Sequence, residues 1–120
     1  MKKMRALVFR DVGRIELSEI PAPRVTQPDD VLLKVKTVGV CGSDLKILAG
    51  KLACKPNSVL GHEICGEVVA VGSHVRHIKT GDRIAVDTIA RCGFCAACRM
   101  GLSSQCEANK DRASAGLGGG

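Results

Sequence analysis

Four cysteines near the end of the chain, Cys92, Cys95, Cys98 and Cys106, follow the pattern C-x2-C-x2-C-x7-C. Thiolates at every third position can wrap one ion on a tight loop, and a fourth closes the shell, so tetrahedral zinc is the expected occupant. A closed four-thiolate site leaves no position for substrate, which makes this a structural centre. Reactive chemistry must come from elsewhere. The candidates are Cys41, in Cys41-Gly42-Ser43-Asp44, and His62 and Glu63, in Gly61-His62-Glu63. Thiolate, imidazole and carboxylate are all metal ligands, but Cys41 and His62 lie far apart in sequence. A lone cysteine is more often a small buried hydrophobe than a ligand, and a lone histidine beside glycine is usually structural. Read locally, the pair stays open.

The elements that must position these residues read mostly as strands. Met4 to Phe9 is short and apolar, and Arg14 to Ile20 alternates, with Ile15, Leu17 and Glu19 on one face. Pro21, Pro23 and Pro28 break regular structure. Asp30 to Val40 is the clearest strand, and it delivers Cys41 at its end. Ser43-Asp44 reads as the N-cap of a short helix running through Leu48 and stopped by Gly50. Glu63 to Val71 is a further strand in which Gly66 signals a bulge or a close backbone approach. Lys79 to Asp82 forms a turn before a strand at Arg83 to Ile89. The cysteine lobe occupies about 91–110, and the glycine-rich stretch Ala113 to Gly120 suggests truncation of a longer chain.

Composition narrows the function classes. At 120 residues the chain fits one domain, and its 45% hydrophobic content includes only Phe9 and Phe94 as aromatics, so the core must be aliphatic. The net charge of +6 is scattered, and with so few rings base stacking is nearly unavailable, so no nucleic-acid partner is expected. No stretch approaches the ~18 apolar residues of a membrane span, and residues 1–10 lack the apolar run of a secretory signal. Seven cysteines clustered as metal ligands suit a reducing cytoplasm.

Taken together, Cys41-Gly42-Ser43-Asp44, Gly61-His62-Glu63-Ile64-Cys65-Gly66 with Gly72 and Val75, and the four-cysteine lobe resemble one family. It is the amino-terminal, GroES-like domain of zinc-containing medium-chain alcohol and polyol dehydrogenases, and all of 1–120 is expected to form it. The resemblance implies a mostly β, partly open barrel with short helices and a protruding zinc lobe. It also implies a catalytic zinc on Cys41 and His62. A Cys2His zinc site is already established for alcohol dehydrogenases, so this ligand set is carried over and not deduced from these residues.

The same resemblance makes Glu63 a carboxylate beside the zinc, Asp44 the group that orients the histidine, and Ser43 the hydroxyl that takes the alcohol's proton. Lys46 stands where many members have a relay histidine, and Gly42 where some have a phosphate-binding arginine, as in the polyol and threonine dehydrogenase branches. NAD or NADP is the implied cofactor, an alcohol or polyol the substrate, and a homo-dimer or tetramer the full-length assembly. Nothing in these residues fits the glycine fingerprint of a Rossmann domain, so the 120 residues alone are expected to be inactive. Two other classes stay open. One is a non-catalytic zinc-stabilised binding module. The other is an iron–sulfur carrier, although Cys106 comes too late for the usual cluster spacing.

The remaining candidates read as structural. Cys54 is expected at the surface, Cys65 in the core, His74 and His77 in a solvated turn, and Glu67 on a wet strand face.

Overall fold

The computed structural model describes residues 2–89 and 91–109. Lys110 and the glycine-rich stretch 113–120 lie outside the described residues. Most of the regular structure is strand. Strands β1 (Lys3–Asp11) and β2 (Arg14–Pro21) form an antiparallel hairpin, closed by Gly13 at φ 75°, a left-handed conformation that favours glycine. On its other edge β1 is paired by a passing loop. Phe9 N–H donates to the Ser58 carbonyl at 2.9 Å, Asn57 N–H to the Phe9 carbonyl at 2.7 Å, and Leu60 N–H to the Leu7 carbonyl at 2.9 Å. The second edge of β1 is therefore paired at Leu7 and Phe9.

The inward face of the hairpin carries Ala6 and Val8, opposite Ser18 and Glu16. The apolar pair Ile15 and Leu17, which the alternation put on one face, points outward, with Leu17 66% exposed. The cause is Arg10. Its guanidinium donates to Glu16 (2.9 Å), Ser18 (3.0 Å) and Asn57 (2.5 Å), drawing the polar side of β2 inward and tying it to the loop.

Strands β3 (Val31–Gly39), β4 (Glu63–Val71) and β5 (Arg83–Ala85) form a second antiparallel sheet in that order, and the two sheets close no barrel. The expected bulge is present. Register shifts between Val35 and Thr37 opposite Gly66, whose missing Cβ would lie 2.8 Å from the Lys34 carbonyl oxygen. Strand β5 stops four residues short of the expected end. Asp87 accepts the Ile89 N–H at 3.0 Å and pairs with Arg91, which diverts the backbone from the ladder.

Between β3 and β4 lies helix α1 (Gly42–Leu48), whose Ile47 is fully buried. With Ala6, Val8, Phe9 and Val68 it makes a small core in which Phe9 is the one ring. The second lobe holds helix α2 (Ala96–Arg99) and 3-10 turns at Ser103–Gln105 and Glu107–Asn109. No helix among the described residues is long and apolar enough to cross a membrane.

Candidate functional site

The β3–β4 register answers the question the sequence left open. Gly39, the last residue of β3, pairs with Glu63, the first of β4. Cys41 follows β3 by two residues and His62 immediately precedes β4, so the antiparallel pairing sets them side by side. One donor atom each from Cys41, His62 and Glu63 lies within 4.8 Å of the others, close enough to share an ion.

One carboxylate holds the arrangement. The N-cap of α1 is Cys41, two residues earlier than expected. Oδ2 of Asp44 accepts the Cys41 N–H at 2.9 Å, satisfying a donor that the helix start leaves free. Oδ1 of the same group faces His62 Nδ1 at 3.6 Å. Those two atoms are also the buried side-chain polar atoms without a hydrogen-bond partner among the described residues. Facing each other, they form a pair one small adjustment from bonding. A carboxylate there favours the proton on Nδ1, which leaves the Nε2 lone pair free to ligate. Ser43 Oγ lies 3.2 Å from that Nε2. Its hydroxyl is therefore within reach of anything the ring would hold.

Glu63 is exposed and Cys41, Ser43, Asp44 and His62 are partly buried. A cleft of about 370 Å³ opens beside them, lined by His62, Glu63, Cys65, Val86, Asp87 and Thr88 among others. Cys65 is exposed there and not in the core as its apolar run suggested. Lys46 lies on the solvent side of α1, away from the buried side of the helix that carries Ile47. His74 and His77 are exposed, Glu67 pairs with Lys36 at 3.2 Å, and Cys54 is half-buried. None of these belongs to a metal-ready cluster among the described residues.

The second cluster is Cys92, Cys95, Cys98 and Cys106, whose sulfurs also lie within 4.8 Å of one another. Backbone amides point at them. Cys92 N–H donates to Cys106 Sγ at 3.3 Å, Cys95 N–H to Cys92 Sγ at 3.3 Å, and Cys98 N–H to Cys95 Sγ at 3.4 Å. The Cys98 and Glu107 amides hold the Cys95 thiol down to about 6, and chiefly the Cys92 amide lowers Cys106. Cys98 receives the Gly93 amide, which lowers it, yet burial and the neighbouring thiols push it up to about 11. Four sulfurs this close cannot all ionise unaided, and a divalent cation supplies the missing charge. The donor set fits zinc.

Asp44 as a common support for both ligands was not legible beforehand, nor were Gly39 and the cleft residues Asp87 and Thr88. The start of α1 and the strand register together reveal them.

Residues 27–120 match the alcohol dehydrogenase GroES-like domain family. Zinc-type alcohol dehydrogenase B of Aspergillus flavus is 40% identical over 105 residues, covering 88% of this chain and 24% of that protein. Sorbitol dehydrogenase of Bacillus subtilis is 39% identical over 109 residues, covering 88% of this chain and 31% of its own. Among solved structures, alcohol dehydrogenase TADH from Thermus sp. ATN1 superposes with a TM-score of 0.82 at 41% identity, over 87% of this chain and 30% of that one. The chain thus spans about a quarter to a third of the length of these relatives.

Proposed function

The chain belongs to the alcohol dehydrogenase GroES-like domain family, and on that premise we propose that it carries the metal-binding part of an NAD(P)-dependent alcohol or polyol dehydrogenase. The observation that supports this most is the convergence of Cys41, His62 and Glu63 donor atoms within 4.8 Å, backed by one carboxylate. A sorbitol dehydrogenase among the relatives favours a polyol or other small alcohol as substrate.

Cys41 and His62 would hold a catalytic zinc, with Glu63 as a further carboxylate ligand, and Cys92, Cys95, Cys98 and Cys106 a structural one. When bound, the catalytic zinc supplies a Lewis acid that acidifies a substrate hydroxyl, and the nicotinamide supplies the hydride acceptor. The residues of this chain do the rest. Ser43 Oγ, 3.2 Å from Nε2 of His62, takes the hydroxyl proton and passes it outward, because a hydroxyl both accepts and donates. Asp44 fixes the tautomer and tilt of His62 and anchors the Cys41 backbone. Lys46, exposed on α1, takes no part, so the proton leaves Ser43 by water. The cleft beside Glu63 admits the substrate.

By themselves the 120 residues are read as catalytically silent, since the nicotinamide-binding element of the family has no counterpart motif in them. Seven free thiols suit a cytoplasmic setting. Leu17, Val40, Phe94 and Met100 are exposed apolar side chains, available for association with a partner domain or another copy.

Cobalt(II) substitution of the purified chain tests the reading, because thiolate-bound tetrahedral cobalt absorbs in the visible. Two equivalents should bind, and Cys41→Ser should remove one while leaving the band of the four-cysteine centre. Sorbitol should perturb only the Cys41-dependent band. A single equivalent that is indifferent to Cys41→Ser would refute a catalytic centre and favour a zinc-stabilised binding module.

A further inference from the structure

Gly39 ends β3 directly across from Glu63. Nothing about its backbone calls for glycine: it is absent from the positive-φ glycines, which are Gly13, Gly50, Gly61, Gly81, Gly93 and Gly101. Nor is it buried. The three atoms that a side chain there would meet first belong to one residue. A Cβ would lie 2.5 Å from Oε2 of Glu63, 3.2 Å from its Cβ and 3.6 Å from its Cδ. The Glu63 side chain thus arches back over the Gly39 Cα, and from that place its carboxylate joins Cys41 and His62.

We propose that Gly39 is a positioning residue, whose missing Cβ leaves the space that keeps the Glu63 carboxylate in the donor cluster. The inference rests on the reading of Cys41, His62 and Glu63 as a metal centre. A methyl group at this position would occupy the seat of the carboxylate. Because the atom that collides at 2.5 Å is the far end of a flexible, exposed side chain, and the 3.2 Å contact with its Cβ asks a shift of only a few tenths of an ångström, strand and sheet would persist while Glu63 turned out to solvent. Gly39→Ala would then reproduce the loss of Glu63 without altering Glu63 itself.

The test is a set of cobalt(II) titrations on the whole chain with four proteins: the parent, Gly39→Ala, Glu63→Ala and the double variant. Affinity and ligand-field spectrum are read for the Cys41-dependent equivalent, and the four-cysteine band serves as an internal reference. Gly39→Ala and Glu63→Ala should each weaken that equivalent by the same factor, roughly tenfold or more, with the same spectral change. The double variant, which keeps the Cβ contact but has no carboxylate to displace, should match Glu63→Ala alone. The proposal is overturned if Gly39→Ala binds like the parent. It is equally overturned if the glycine substitution weakens binding further once Glu63 is gone, which would place its effect in the strand backbone. A parent chain with no Cys41-dependent cobalt would remove the metal-centre reading, and this inference with it, whereas a parent that binds isolates the failure to Gly39.

Discussion

Oδ1 of Asp44 faces Nδ1 of His62 at 3.6 Å, while the other oxygen of the same carboxylate holds the Cys41 amide. Two prospective ligands from the adjoining ends of the antiparallel β3–β4 pair are therefore fixed by one group at the start of α1. Substituting Asp44→Asn separates its two roles. The amide oxygen can still accept the Cys41 N–H, but an NH2 group would confront the ring. Metal affinity at the Cys41 centre should fall roughly 10- to 100-fold with little change in melting temperature. Asp44→Ala should lose that affinity and also about 1 kcal/mol of helix capping. Cobalt titration and thermal denaturation together check both.

The four-cysteine lobe has almost no core of its own: Ala97 and Cys106 are its buried residues among those described. Its order must come from the ion. Cys98→Ser should release one equivalent of zinc and leave the lobe open to protease between Cys92 and Cys106, while the β1–β2 hairpin stays protected. Elemental analysis and limited proteolysis followed by mass spectrometry measure these outcomes.

Gly72 is tight for a different reason from Gly39. A Cβ there would lie 2.3 Å from the Pro28 carbonyl oxygen and 2.6 Å from that of Gln27, and backbone cannot swing aside. The Gly72 amide also donates to the Asp30 carbonyl at 2.8 Å. Gly72→Ala should cost about 1–3 kcal/mol or more of stability, read as a lower urea midpoint. Gly39→Ala should leave that midpoint near the parent's.

Asp30 pins the loop that Gly72 packs against. Its Oδ2 accepts the Thr26 and Gln27 amides at 2.9 Å each and the Thr26 hydroxyl at 3.1 Å. These bonds, the Thr26 amide first, hold its carboxyl below the ordinary 3.8. A carboxylate with a lowered folded-state value adds stability above its unfolded value and loses it as pH falls through the lowered one. Asp30→Asn should therefore be less stable than the parent at pH 7, and the gap should shrink below pH ~4. Urea midpoints at several pH values decide this.

Much of the architecture was legible because strands and glycines leave local traces. Alternation marked β3, Gly66 announced the bulge, and the cysteine spacing marked the second lobe. The failures have local causes too. Ser43 and Asp44 are both good N-cap residues, so the sequence pointed past Cys41, whose amide is satisfied by Asp44 from within the first turn. Alternation put Ile15 and Leu17 on one face, but nothing in β2 revealed that Arg10 would draw Glu16 and Ser18 inside and leave that face exposed. Strand β5 ended early at a side-chain-capped turn around Asp87. Cys65 looked buried in an apolar run, yet it borders the cleft. The convergence of Cys41 and His62 depends on the Gly39–Glu63 pairing, and long-range register leaves no mark at either residue alone.

Anomalous diffraction at the zinc edge, on crystals of the chain grown with zinc, tests the central claim most directly. Two peaks are expected, one enclosed by Cys92, Cys95, Cys98 and Cys106, and the other bridging Cys41 Sγ and His62 Nε2. A map with density only in the cysteine lobe, and Cys41 and His62 turned apart, would contradict the account.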